Sequence, residues 1–282
     1  MLVRPKMGGY RFAHGVCSGA VEIRRLGVED VPECMKLVTD RGWSWTPAQW
    51  EMLLALGPGF GAFDENGLLG TTLVTPYAEM QAISGVLVGS WAERRGIAGA
   101  LISNVLDTGP SVLYATAMGE PLYERLGFHP VGRALAYHGE IAGVAAGVTR
   151  PATSGDLSAV VEMDRAASGF TREAFWAHVF GSSSVYTPYI ADDGFVCTRR
   201  MGETLVIGPL VAPNVTAACE IIVDVAAGAG PSRVDVSDPE VASFLSGRGY
   251  EVRGGCALMV HGVDDVGGDR ARYFAPASLA LG

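Results

Sequence analysis

The chain has 282 residues, 49% hydrophobic and 18% charged, and a formal net charge of −9. Such an acidic balance excludes general nucleic-acid binding and binding to anionic membranes, whose affinity comes from basic residues meeting phosphate. The length suggests two domains, and no apolar run reaches the ~20 residues of a bilayer span.

Five cysteines and five histidines are scattered, with no CxxC pair and no metal-ligand cluster, so no metal is expected. Free thiols, and a start that lacks an uninterrupted apolar segment, point to a cytoplasmic protein.

Residues 1–19 are polar, Gly-containing and without period, and read as a flexible leader. Ala20–Leu26 alternates like a strand. Val28–Val38 reads as a helix, with Asp30 as N-cap and Pro32 in the first turn. After the loop Arg41–Pro47, a second helix runs from Ala48 to Leu56. Strands at Phe60–Phe63 and Gly67–Val74 flank the hairpin signal Asp64-Glu-Asn-Gly67. A strand at Ile83–Val88 leads through a loop into a helix at Gly96–Leu106. Ser111–Ala115 is a strand, Pro121–Gly127 a short helix, and strands start at Phe128 and at Arg133.

Thr149–Asp156 is a turn-rich break, after which the order restarts. Helices are expected at 156–167 and 171–179, and strands at 184–191, 194–200 and 204–211. A helix at 214–227, a strand at 233–236, a short helix at 239–247 and a strand at 250–260 complete the series. Leu122-Tyr-Glu-Arg-Leu-Gly-Phe128 is echoed by Phe244-Leu-Ser-Gly-Arg-Gly-Tyr250, as in two copies of one fold.

The chemical signal is Val86-Leu-Val-Gly-Ser-Trp-Ala-Glu-Arg-Arg-Gly-Ile-Ala98. A strand feeding a turn that opens a helix makes an anion site, because the first helical N–H groups lack partners and the dipole favours negative charge. Arg94 and Arg95 can add charge-assisted bonds to phosphate. Taken alone, the stretch fits an ordinary helix start with two solvated arginines equally well.

With Val86–Val88, Arg95-Gly-Ile-Ala98, Ala100-Leu101, Tyr114-Ala-Thr116 and Pro121–Phe128 together, residues of about 20 to 140 resemble the GNAT acyltransferase superfamily. The second half resembles the degenerate GNAT-like domain of tandem members, on Ile207–Pro213, Val234–Glu240 and the ending Tyr273–Gly282. The resemblance implies an α/β fold of two tandem GNAT-like domains, each a mixed, mostly antiparallel central sheet flanked by helices. Their expected bounds are 20–144 (donor binding, catalytic) and 145–282 (shaping the acceptor pocket).

It also implies N-acyl transfer from acetyl-CoA or another acyl-CoA to a small-molecule amine. Val86, Leu87 and Val88 would meet the pantetheine arm. The amides of Arg94, Arg95, Gly96, Ile97, Ala98 and Gly99 would cradle the pyrophosphate. Thr116 stands where many members have Asn, and Tyr123 matches the general acid. Glu79 and His138 are candidate bases. Trp43 and Trp45, with Trp50, lie in the acceptor segment, and core filling is an equal reading for them. Asp235 and Asp238 could face the acceptor, with a helix cap the simpler reading of Asp238.

Glu93 departs from the family's Gln/Arg at the first loop position, and a carboxylate beside pyrophosphate has to turn away or pair with an arginine. The departure leaves open an acyl carrier protein as donor, or an acyl-CoA sensor without activity; protein amino-group acylation is a further alternative. The loop's counterpart at Val211–Ala218 has neither glycine nor arginine, and Pro213 and Asn214 suit a plain helix start without cofactor.

Overall fold

The computed structural model describes residues 21–106, 108–181 and 184–281; the expected leader and Cys17 lie outside them. By internal contacts the chain divides into one unit of residues up to Val74 with Gly85–Asp107, and another of Thr75–Ser84 with Thr108–Gly282. That division differs from the tandem boundary expected near residue 144.

The first unit begins with strand β1 (Glu22–Leu26) and helix α1 (Val31–Asp40), which buries Val31, Cys34, Leu37 and Val38 at helical spacing. Asp30 precedes α1 but makes no side-chain cap there; its carboxylate takes the Gly27 amide at 2.9 Å and the Arg24 guanidinium at 2.7 Å instead. Helix α2 (Pro47–Leu56) starts on a capping box: the Gln49 amide donates to Thr46 Oγ1, and the Thr46 amide donates to the Gln49 side chain. Strands β2 (Gly59–Asp64) and β3 (Gly67–Pro76) form the expected hairpin, with Asp64 opposite Gly67, whose φ of 119° few other residues adopt. Strand β4 (Gln81–Val88) runs from the second unit into the first and leads to helix α3 (Ile97–Leu106). Ala62, Leu69, Ala92, Ile97 and Leu101 share one core.

In the second unit, the first half supplies β5 (Ser111–Thr116), helix α4 (Glu120–Arg125) and β6 (His129–Gly139). The expected strands at Phe128 and Arg133 are one continuous strand, because β6 is paired along both edges. There follow β7 (Arg150–Pro151), α5 (Leu157–Ser168), α6 (Glu173–Val179), β8 (Tyr186–Ala191), β9 (Gly194–Met201) and β10 (Thr204–Val211). Helix α7 (Val215–Ala226), β11 (Ser232–Val236), α8 (Pro239–Ser246), β12 (Glu251–His261) and β13 (Tyr273–Ala275) end the chain. Two elements escape sequence reading: β7, only two residues long, and β13.

The strand order in this unit is β4-β5-β12-β6-β11-β10-β9-β8-β7, with β13 also on β10. The pairs β4–β5 and β10–β11 are parallel, whereas β5–β12, β12–β6, β6–β11, β10–β9, β9–β8, β8–β7 and β10–β13 are antiparallel. β12, from the end of the chain, lies between β5 and β6, while β6 lies against β11. Each half therefore takes its last strand from the other, an exchange that similar halves permit because each strand fits the other's edge.

Behind β9, Asp164 and Arg172 form an ion pair with side chains 1% and 0% exposed. Trp176 Nε1 donates to Asp164 at 2.7 Å, and Arg172 also reaches Tyr273 Oη at 3.3 Å and the Leu281 carbonyl at 3.5 Å. This one guanidinium fastens the chain end to α5.

Two outcomes are expected. A chain ending at residue 144 leaves an edge of β5 bare and β6 without β11, so size-exclusion chromatography with light scattering should find dimers or aggregates, not a folded monomer. Arg172→Met strands a buried carboxylate and should lower stability by about 3–5 kcal/mol in urea unfolding.

Candidate functional site

In the first unit, β4 leads directly to the loop. Gly85 has φ of 57°, and its carbonyl accepts from Thr71 Oγ1 at 2.7 Å. A Cβ there would lie 2.9 Å from Leu73 and 3.4 Å from Trp45. Beyond it Val86 and Val88 are half-buried and Leu87 is buried. At Gly70 a Cβ would lie 2.7 Å from the Leu87 carbonyl and 3.2 Å from Ile97, so this glycine lets the start of α3 settle on the sheet.

The loop is pinned from several directions. Gly89 N–H donates to the Leu69 carbonyl at 2.9 Å. The Asp40 carboxylate, at the end of α1, accepts from the Ser90 amide at 2.8 Å and from its hydroxyl at 2.7 Å. Glu93 pairs with Arg41, not with Arg94 or Arg95. Arg95 reaches Asp64 at 3.3 Å. Arg94 is exposed, with φ of 60°, and Gly96 follows at 74°. The first bond of α3 runs from the Ala100 amide to the Gly96 carbonyl at 3.0 Å, so the amides of Ile97, Ala98 and Gly99 precede the helical ladder. An anion can take those amides and Arg94.

The acceptor-segment tryptophans form a chain: Trp43 lies 5.5 Å from Trp45, and Trp45 lies edge-on 5.4 Å from Trp50. Trp50 is fully buried and belongs to the core, whereas Trp43 is exposed.

In the second unit, Thr116 ends β5, exposed and in register with Cys256 of β12. A Cβ on Gly119 would lie 2.9 Å from the Tyr123 ring and 3.5 Å from Thr116 Oγ1, which brings these two expected residues to one glycine. Tyr123 is buried on α4 and meets Phe128 edge-on at 5.7 Å. Burial, with a smaller contribution from Cys256, pushes its phenol pKa up to about 12.

The two candidate bases are not gathered there. His138 is opposite Arg233 of β11 and Glu251 of β12, four residues along β6 from Ala134, which faces Cys256. Four strand residues span roughly 13 Å. Partial burial and the charges of Arg233 and Arg253 hold its imidazole below the usual histidine range. Glu79 accepts from the Thr171 amide at 2.9 Å and hydroxyl at 2.6 Å. Burial raises its pKa, but those hydrogen bonds outweigh it and the carboxyl stays below the ordinary value. Asp235 is taken by Arg233 at 2.8 Å, and Asp238 caps α8 through the amides of Glu240 and Val241.

The second half treats the same places differently. Asn214 caps α7 by accepting from the Ala217 amide at 3.0 Å. β10 pairs with β11 only over Leu205–Ile207; farther along, Leu210 and Val211 face Ala275 and Tyr273 of β13. The buried Leu245 stands where the echoed motif places Tyr123.

Sequence reading missed Asp40 and Arg41, since their partners lie 50 and 52 residues away. Their one local signal is an opposite-charge pair at a helix end. Cys34, Cys197, Cys219 and Cys256 are buried free thiols. Among the described residues no His/Cys/Asp/Glu group suits a metal, and no helix is long and apolar enough to cross a membrane.

A family model described as an acetyltransferase (GNAT) domain matches residues 160–275, within the half expected to be degenerate. No curated protein matches the chain. Among solved structures, a putative acetyltransferase from Pyrococcus horikoshii superposes with a TM-score of 0.81 at 18% identity, covering 97% of this chain and 100% of that one. A tandem GNAT protein from the clavulanic acid biosynthesis pathway gives 0.62 at 12%, covering 87% and 100%. N-myristoyltransferase of Saccharomyces cerevisiae, with myristoyl-CoA bound, gives 0.64 at 12%, covering 95% and 87%. At such identities these likenesses show the fold.

Spectrophotometric titration of wild type and Tyr123→Phe should differ by one phenol with a midpoint near 12; a missing phenol titrating near 10 contradicts the burial described.

Proposed function

We propose that this protein is an N-acyltransferase that moves an acetyl or other acyl group from acyl-CoA to a small-molecule amine, with the reacting residues in the first half; the match of residues 160–275 to a GNAT acetyltransferase domain and the fold shared with a putative acetyltransferase support the reading. The observation that carries the reading is the turn before α3: positive φ at Arg94 and Gly96, an exposed guanidinium, and the amides of Ile97–Gly99 ahead of the first helical bond. Opposed to it are the Asn214 cap, Leu245 and β13 in the second half, which support a non-catalytic role there.

The amides of Ile97–Gly99 and Arg94 hold the pyrophosphate, and backbone groups of Val86 and Val88 take the pantetheine arm. Tyr123 supplies the proton that the departing sulfur needs. Its raised pKa keeps the phenol protonated through the neutral and mildly basic range, where an amine is increasingly neutral and nucleophilic. Glu79 is committed to Thr171, and His138 stands four residues along β6 from Ala134, so the amine arrives neutral or loses its proton to water. Glu93 is neutralised by Arg41, which removes the charge that weighed against free CoA and favours CoA over a carrier-protein donor.

Calorimetric titration with acetyl-CoA, longer acyl-CoAs and free CoA tests this. Arg94→Ala should weaken binding by about tenfold, the worth of one charge-assisted bond. Tyr123→Phe should bind donor normally and turn over amines at least ~100-fold more slowly. Normal turnover in Tyr123→Phe removes the general acid, and no affinity for any CoA in wild type removes the donor site.

A further inference from the structure

We infer that Asp40 and Arg41 are positioning residues for the donor loop, anchored on Ser90 and on Glu93 respectively, and that Glu93 is held there instead of serving as a ligand group. The inference rests on the reading of the β4–α3 loop as a phosphate site. The backbone at Arg94 is left-handed, an arrangement that is costly for a non-glycine residue and persists only where its surroundings impose it.

The surroundings are on view. Upstream, Asp40 holds both the amide and the hydroxyl of Ser90. Next to Arg94, Arg41 holds Glu93; after it, Asp64 holds Arg95. The strained residue thus sits between two side chains fixed by ion pairs, and two of the three loop charges are spent on the protein itself. Arg94 is left as the exposed cation. Asp40 and Arg41 are adjacent at the end of α1, so one helix terminus secures the loop at two points three residues apart.

The positioning acts on phosphate and not on the acyl end. It therefore separates two donors: acetyl-CoA, which carries the pyrophosphate, and S-acetyl-pantetheine, which has no phosphate. Asp40→Ala and Arg41→Met should each weaken acetyl-CoA binding about three- to tenfold. Turnover of S-acetyl-pantetheine, kcat at saturating acetyl-CoA and thermal unfolding should stay at wild-type values. Exchanging the charges, Arg41→Glu with Glu93→Arg, should recover most of the affinity lost in Arg41→Glu alone, and provides the test if a single variant fails to fold.

Unchanged acetyl-CoA affinity in the variants overturns the inference, as does an equal loss for both donors, which marks a merely structural role. A wild-type protein that binds no CoA at all fails earlier and elsewhere: it removes the phosphate site itself.

Discussion

The exchange of β6 and β12 is the constraint on which the rest of the second unit depends. β12 pairs with β5 over Cys256–His261 and with β6 on its other edge, while β6 in turn carries β11. The ladder that ends at Thr116, next to the Tyr123 helix, is therefore completed by a strand from the far end of the chain. Each half's sheet is completed by the other, and the end of β5 at Thr116 lies opposite Cys256 of β12. Edge strands left open pair with whatever they meet; here the two halves close each other.

Within that frame the two halves differ at matching places. Both halves use a parallel pair of strands that run together briefly: Gln81–Ser111 and Ala82–Val112 in one, Leu205–Ser232 to Ile207–Val234 in the other. In the second half the chain's own β13 takes over the β10 edge, and Arg172 ties that end segment to Asp164 through Tyr273 and Leu281. The helix that follows β10 is capped by Asn214, whereas the helix that follows β4 begins from a glycine and an arginine in left-handed conformation. A side-chain cap satisfies the amides that an anion would otherwise take.

Charge in the first-half loop is similarly allotted. Glu93 and Arg95 each have a fixed partner in Arg41 and Asp64, so the loop's net charge toward solvent is set by Arg94. Ion pairs of this exposure add little to stability. In the proposed reading their effect is on geometry, holding backbone amides in one arrangement so that less is lost when a ligand binds.

The amino-acid sequence by itself determined the elements and their kinds. Hydrophobic period placed α3, α5 and α7, the Asp64–Gly67 turn placed the β2–β3 hairpin, and the strand–loop–helix pattern at Val86–Ala98 pointed to a candidate anion site. All are local: each depends on residues within a turn or two of one another. Tertiary structure alone decided which strand completes which half, because β6 and β12 are both 11-residue strands that follow a short helix and no local signal separates their partners. It alone showed that Glu93 turns to Arg41, that His138 stands four residues along the sheet from the level of Thr116, and that Tyr273–Ala275 fills an edge of β10. Those outcomes rest on contacts 50 or more residues apart in sequence, where nothing in a local window says which of several suitable partners arrives.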